Sequence, residues 1–390
     1  MVGGLRFFKL LTVYLPKAEM GNYLLATSVM ALVLLASFSV MDQGLMRFAS
    51  IYEARGDLRE MYSACLFGYA MLALVLALAF LCLSVLFGSD SRWGGVFLGL
   101  MCWILTEPIK NAALAMSNAV RNRMVIAKAK ALDQFARAGL VLVVALLVSV
   151  NSRAVLMLLA LSGVCVGSFL LWSQRDLLGE VQKQNIRKVF ADVFSFSWPL
   201  FIWGIFGWLQ QMSNRWLLEA FSSEQDIANF GVLASLSTLP FTMVLSIVAA
   251  YALPIIYQAE NANPGSARQK VSVILRRLAP MLIAIVLLVV MFKREIVLLA
   301  ATQDYLQDAW LLPFMAAGVA LSTLGTVMTY KDFATHQTRR LILPNVLPGI
   351  LALVSGLLLV PAHGVHGAAA SFVLAHALSC LMQWLTFARR

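Results

Sequence analysis

The chain has 390 residues, 61% apolar and only 13% charged, with 30 Lys and Arg against 19 Asp and Glu. Soluble domains hold roughly 45–50% apolar and 25% charged residues, so a water-exposed fold would lack the polar surface to cover this one. The composition excludes an ordinary soluble domain and predicts an all-α polytopic membrane protein, with about 20 residues per crossing helix.

Twelve apolar segments follow one another, at about 1–15, 22–46, 62–88, 94–120, 132–150, 154–172, 193–218, 226–257, 271–291, 308–330, 340–360 and 365–387. The first opens MVGGLRFFKLLTVYL. It lacks the small-residue cleavage site of a signal peptide and reads as the first helix. The second ends VMDQGLMRFASIYEARGD. Charge within a span is costly and is by default functional, so Asp42 reads as a gating or ion-coupling group. Arg47 either snorkels to the interface or points into a cavity near its cytoplasmic mouth. The fourth segment carries ILTEPIKNAALAMSNAVRNR, where Glu107 and Lys110 share a helical face with Asn111 beside them. Two readings stand: a paired Glu–Lys at the kink made by Pro108, or a cavity lysine that attracts an anion, with Glu107 as its gate. Asp133 and Arg137, four apart in the fifth segment, read as a local pair.

The polar stretch 173–192, SQRDLLGEVQKQNIRKVFAD, is predicted to connect an N-terminal six-helix bundle, 1–172, to a C-terminal one, 193–390. A shift of 207 residues lays DIANFGVLAS over EMGNYLLATS, placing Asn229 on Asn22, Phe230 on Tyr23 and Ser235 on Ser28. Parallel repeats of this kind are common in secondary transporters, with the substrate path between the halves. The same shift puts the counterpart of the seventh helix's start about 15 residues before Met1, so the first helix is expected to be shortened. That seventh helix reads FSFSWPLFIWGIFGWLQQMSNRWLLEAF. Gln211, Asn214 and Arg215 stand well inside it and, with Asn111, read as cavity residues that bind substrate, while Glu219, one turn beyond, reads as a gating or ion-coupling group. An Arg so deep needs a partner or water; a substrate anion in a cavity would serve, as would a structural pair with Glu219. His363 and His366 fall in the outer turn PAHGVHG, and His376 reads as a packed helix residue.

Charge by side orients the chain. Alternate connectors hold Arg47, Arg55 and Arg59; Arg121, Arg123, Lys128 and Lys130; Arg175, Lys183, Arg187 and Lys188. The same side then holds Arg268, Lys270, Arg276 and Arg277; Lys331, Arg339 and Arg340; and Arg389 with Arg390. The intervening connectors hold only Lys17, Arg92, Arg153, Lys293 and Arg294. Basic residues collect on the cytoplasmic side, which puts both termini in the cytoplasm. In such a chain a net charge of +11 speaks for sidedness, not for nucleic acid as a partner. Cys65, Cys82, Cys102, Cys165 and Cys380 lie in apolar stretches without metal-ligand spacing and read as small buried hydrophobes.

The sequence contains no GxxxxGK[ST] loop, no HExxH, no G-x-S-x-G and no glycine-rich dinucleotide turn. Neither an enzyme nor a cofactor is therefore expected. The run from Leu15, LPKAEMGNYLLATSVMALVLLASFSVMDQGLMRFASIYEARGD, and the run WLQQMSNRWLLEAFSSEQDIANFGVLASLSTLPFTMVLSIVAAYALP together resemble the polysaccharide flippases of the multidrug/oligosaccharidyl-lipid/polysaccharide exporter superfamily. Many of those relatives carry an acidic residue before the Arg that corresponds to Arg215; here it is Asn214. The resemblance implies two six-helix bundles around a central cavity in the bacterial inner membrane, opening alternately to each side. It implies translocation of undecaprenyl-diphosphate-linked oligosaccharide for O-antigen or exopolysaccharide synthesis, with a polysaccharide polymerase and other assembly proteins as partners. Arg215, Lys110 and Arg47 would hold the diphosphate. The alternative function is a proton- or sodium-coupled multidrug exporter.

Overall fold

A computed structural model describes residues 2–88, 91–147, 150–179, 183–335 and 337–388. Among them the chain is helical throughout, without a β-strand. It divides into two compact units, Met1–Ile205 and Phe206–Arg390. Among the described residues, seven helical runs are long and apolar enough to cross a membrane by themselves. Their outward faces are apolar: Leu86, Leu146 and Leu358 are 79%, 74% and 72% exposed. Apolar surface on this scale has lipid as its natural solvent.

The first unit opens with α1 (Val2–Tyr14), too short to span a bilayer. It packs on α7. The second apolar segment is α2 (Lys17–Val33) and α3 (Ser39–Arg55), joined without a break by a π-helical turn at Leu34–Phe38. Gly56, at φ 82°, ends α3 in the left-handed conformation that glycine adopts without steric cost. After α4 (Leu58–Phe87), the fourth segment is not one kinked helix but two, α5 (Arg92–Ile104) and α6 (Glu107–Ala119). Pro108 is the reason: lacking an N–H, it is accommodated in the first turn of α6. The helices α7 (Arg123–Leu147) and α8 (Ser152–Ser173) complete the set. Asn151 caps α8, its Oδ1 accepting from Ala154 N at 2.8 Å.

The 173–192 stretch, expected as a connector, holds a short 3₁₀ turn at Arg175–Leu177 and is helical again from Lys183. There α9 (Lys183–Phe221) begins, and the boundary between the units falls inside it. Of the basic residues read for sidedness, Arg389 and Arg390 lie outside the described residues, as do the side chains of Lys183, Arg187 and Lys188.

The second unit takes the end of α9, then α10 (Glu224–Ala262), α11 (Ser266–Met291) and the short α12 (Lys293–Ala300). The helices α13 (Leu312–Met328), α14 (Tyr330–Ala334) and α15 (Ile342–Ala388) follow. Gly364, at φ 51° and ψ −126°, breaks α15 into two arms, which are the last two apolar segments. Glycine permits close packing here. A Cβ on Gly349 would lie 2.6 Å from Phe206 O, and one on Gly318 would lie 3.3 Å from Val373 Cα.

The sequence repeat has a structural counterpart. In the first unit Asn22 Oδ1 accepts from Arg92 Nε at 2.6 Å, at the start of α5. In the second unit the equivalent Asn229 donates to Asp308 Oδ2 at 3.3 Å, just ahead of α13. The same position staples the same pair of apolar segments in each half, with partners of opposite charge.

Candidate functional site

The second unit holds an open cavity of about 380 Å³ with a mixed polar and apolar lining between α9, α10, α13 and α15. Roughly 300–1,000 Å³ is the usual range for small-molecule sites. Arg215 and Gln211 reach it from α9. From α10 come Ser235, Thr238 and Thr242, spaced to fall on one helical face. The α13 face supplies Ser322, Thr323 and Thr326, and α15 supplies Phe372 and His376. Arg215 is 7% exposed and is the only Lys or Arg on this wall among the described residues. A guanidinium carries its charge and its N–H donors in a fixed planar fork that suits a carboxylate, phosphate or carbonyl.

Asn214 does not share that wall. It is fully buried and faces α15, where a Cβ on Gly356 would sit 2.8 Å from its Oδ1. Neither atom of its amide has a hydrogen-bond partner among the described residues. Glu219, one turn beyond Arg215, is half-buried. His376, read from sequence as a packed residue, is both packed and on the cavity wall.

The polar residues of the first unit form a different object. Lys110 Nζ lies 2.8 Å from Glu107 Oε1 and 3.4 Å from Asp133 Oδ1. Arg137 closes the ring, with Nε 3.0 Å from Asp133 Oδ1 and Nη2 3.7 Å from Glu107 Oε1. Trp103 Nε1 donates to Glu107 at 3.0 Å and Ser162 Oγ donates to Asp133 at 3.2 Å. The two sequence pairs are thus one network of alternating charge, net neutral, joining α6, α7 and α8. Lys110, at 2% exposure, is held by two carboxylates and is not presented as a lone cation to an anion. Asn111 beside it is half-buried.

Asp42 lies on α3, one turn past the π-helical turn, where Tyr69 Oη donates to its Oδ1 at 2.8 Å. A π turn disturbs the i→i−4 ladder and is frequent at functional positions. The backbone of α9 closes on this turn, for a Cβ on Gly204 would lie 2.7 Å from Leu35 O. Arg47 is exposed.

Sequence reasoning passed over the hydroxyl stripes of α10 and α13. Their signal was present: Ser235-x₂-Thr238-x₃-Thr242 and Ser322-Thr323-x₂-Thr326 each repeat at helical spacing within an apolar helix. Lys331, expected as a connector residue, is instead buried on α14, as is its neighbour Asp332. Lys331 Nζ donates to Phe387 O at 3.4 Å near the end of α15.

Three solved structures show how widely the fold is shared. An inward-facing multidrug resistance MATE family transporter of the MOP superfamily superposes at TM-score 0.81 and 12% identity, over 98% of this chain and 92% of that one. The lipid II flippase MurJ in an inward closed conformation gives 0.76 and 11%, over 98% and 84%. A MOP superfamily transporter from Pyrococcus furiosus, described by the reversed polarity of its binding pocket, gives 0.68 and 13%, over 98% and 90%. No curated protein sequence matches. The family described as polysaccharide biosynthesis protein matches residues 4–260. The chain is a multi-pass membrane protein with the fold of MOP superfamily transporters, and it belongs to the polysaccharide biosynthesis protein family.

Proposed function

We propose that the protein translocates undecaprenyl-diphosphate-linked oligosaccharide across the bacterial inner membrane by alternating access, supplying O-antigen or exopolysaccharide assembly. Both termini then face the cytoplasm, and a polysaccharide polymerase receives the product. The protein acts as a transporter and performs no covalent chemistry on its cargo. The observation that supports this most is the cavity of the second unit, whose wall combines Arg215 with hydroxyl stripes on two helices. The Arg215 charge opposes a cationic drug at this wall. A glycan bound to an anionic carrier finds both hydrogen-bond partners and a counter-charge.

Within this reading Arg215 and Gln211 contact cargo. The Lys110–Glu107–Asp133–Arg137 network holds the helices of the first unit in register. Asp42, beside the π-helical turn, gates the transition between states.

The test is transfer of a fluorescent prenyl-diphosphate oligosaccharide between leaflets of vesicles containing the purified protein. Transfer that depends on the protein, and that falls about 10- to 100-fold in Arg215→Gln, is expected from loss of charge-assisted hydrogen bonds. Protection of a sensitive host against cationic drugs, without any glycan transfer, overturns the proposal.

A further inference from the structure

Five hydroxyl groups on the cavity wall commit their hydrogens to their own helices. Ser235 and Thr238 donate to Gly231 O and Ala234 O, both at 2.7 Å, and Thr242 donates to Leu239 O at 2.9 Å. On α13, Thr323 donates to Val319 O at 2.8 Å and Thr326 to Ser322 O at 2.9 Å. A hydroxyl has one hydrogen and two lone pairs, so while these bonds hold the five oxygens meet a ligand as acceptors. His376 adds to them. Its Nδ1 lies 2.8 Å from Phe372 O, and a carbonyl only accepts, so Nδ1 carries the hydrogen. In the neutral ring Nε2 then carries a lone pair. The wall is thus rich in acceptors; among the described residues its donors are the Arg215 guanidinium, the Gln211 amide and the Ser322 hydroxyl.

This pattern separates the two parts of a lipid-linked glycan. An ionised diphosphate has no hydrogen to donate, and five acceptor oxygens would confront its own acceptors. A sugar ring carries several O–H donors and matches them. We propose that the cavity of the second unit is a saccharide subsite and not the diphosphate site. The hydroxyls of one sugar residue donate to the five wall oxygens, while an acceptor substituent of that sugar, a carboxylate or an N-acetyl carbonyl, meets Arg215. The inference rests on the flippase reading and reverses its simplest assignment, in which Arg215 holds the diphosphate.

The experiment titrates the full chain in detergent with three probes: a glucuronic acid–N-acetylglucosamine disaccharide, its carboxyl-reduced counterpart, and inorganic diphosphate. The expected result is saccharide binding that diphosphate does not displace. Thr238→Val and Thr323→Val each weaken it about two- to tenfold, and Arg215→Gln about 10- to 100-fold. Thr386→Val leaves it unchanged, since that hydroxyl donates to Met382 O away from the cavity. A carboxylate partner is identified if carboxyl reduction alone reproduces the loss seen in Arg215→Gln. An N-acetyl partner is identified if reduction has no effect while Arg215→Gln still does. Displacement by diphosphate, binding indifferent to the two Thr→Val changes, or absence of saccharide binding overturns the proposal. Leaflet transfer of the lipid-linked glycan is measured in parallel. Transfer without saccharide binding sinks the subsite alone, whereas Arg215-dependent saccharide binding without transfer sinks the flippase reading alone.

Discussion

Replacing Lys110 by Met should destabilise the first unit more than any surface change, and the four-charge network sets the size of the effect. Its ammonium faces Glu107 at 2.8 Å and Asp133 at 3.4 Å, with its side chain 3% exposed. At an effective dielectric near 20, those separations correspond to about 6 and about 5 kcal/mol of gross attraction. Desolvation of the ions offsets most of this, and removing one partner of a buried pair typically costs about 3–5 kcal/mol net. The lower part of that range is expected here, because Arg137 remains at 3.0 Å from Asp133 and 3.7 Å from Glu107. Lys110→Met leaves the cluster with one excess negative charge. Adding Glu107→Gln restores neutrality, and the new amide still accepts from Trp103 Nε1. The double variant should therefore recover at least half of the loss, which is the signature of a charge-balance effect and not of packing. Equilibrium unfolding in mixed micelles reads both quantities, and a thermal shift followed by size exclusion gives the ranking. A single variant within about 0.5 kcal/mol of wild type, or a double variant less stable than the single, would refute the reasoning.

Three further outcomes follow from the packing. Gly349→Ala should lower stability by about 1–3 kcal/mol, because the added Cβ would meet the backbone oxygen of Phe206 at 2.6 Å; Gly207→Ala, with nothing within 4 Å, should be neutral or gain about 1 kcal/mol of helix propensity. Thermal unfolding of the two variants side by side checks the sign. Gln174→Leu should cost about 2–4 kcal/mol by the same assay, since Gln174 accepts from Tyr62 and donates to Ala113 O at 2.8 Å and to Ser117, tying α4 to α6. Asp42→Asn should slow leaflet transfer about tenfold while leaving free-saccharide binding to the second unit intact, and Tyr69→Phe should reproduce part of that slowing. Stopped-flow transfer beside equilibrium titration separates the two effects.

What the sequence reveals and what it hides follow from range. Apolar segments are local, so their positions could be read directly, and the helices lie on them. Pairs three or four residues apart are also local, which is why Glu107–Lys110 and Asp133–Arg137 were visible as pairs. Their fusion into one neutral network was not visible, because it depends on α7 bringing Asp133 to α6 across 23 residues of sequence. That fusion changes the chemistry. A lysine with one local acid can still serve an anion, whereas a lysine between two carboxylates, themselves held by an arginine, has its charge already balanced. The hydroxyl stripes show the opposite limit. Each is periodic and legible in its own helix, yet a stripe of Ser and Thr in one apolar helix is equally a helix–helix contact. Only the approach of α10 to α13, with Arg215 entering from α9, turns two ambiguous stripes into the wall of a cavity. The direction of their hydrogens, inward to the backbone, then determines what the wall can recognise. In a membrane helix a Ser or Thr with no other partner returns its hydrogen to the preceding turn, so such a cavity presents acceptors by default. Selection of donor-rich cargo in this protein thus begins with the backbone's own demand for hydrogen bonds.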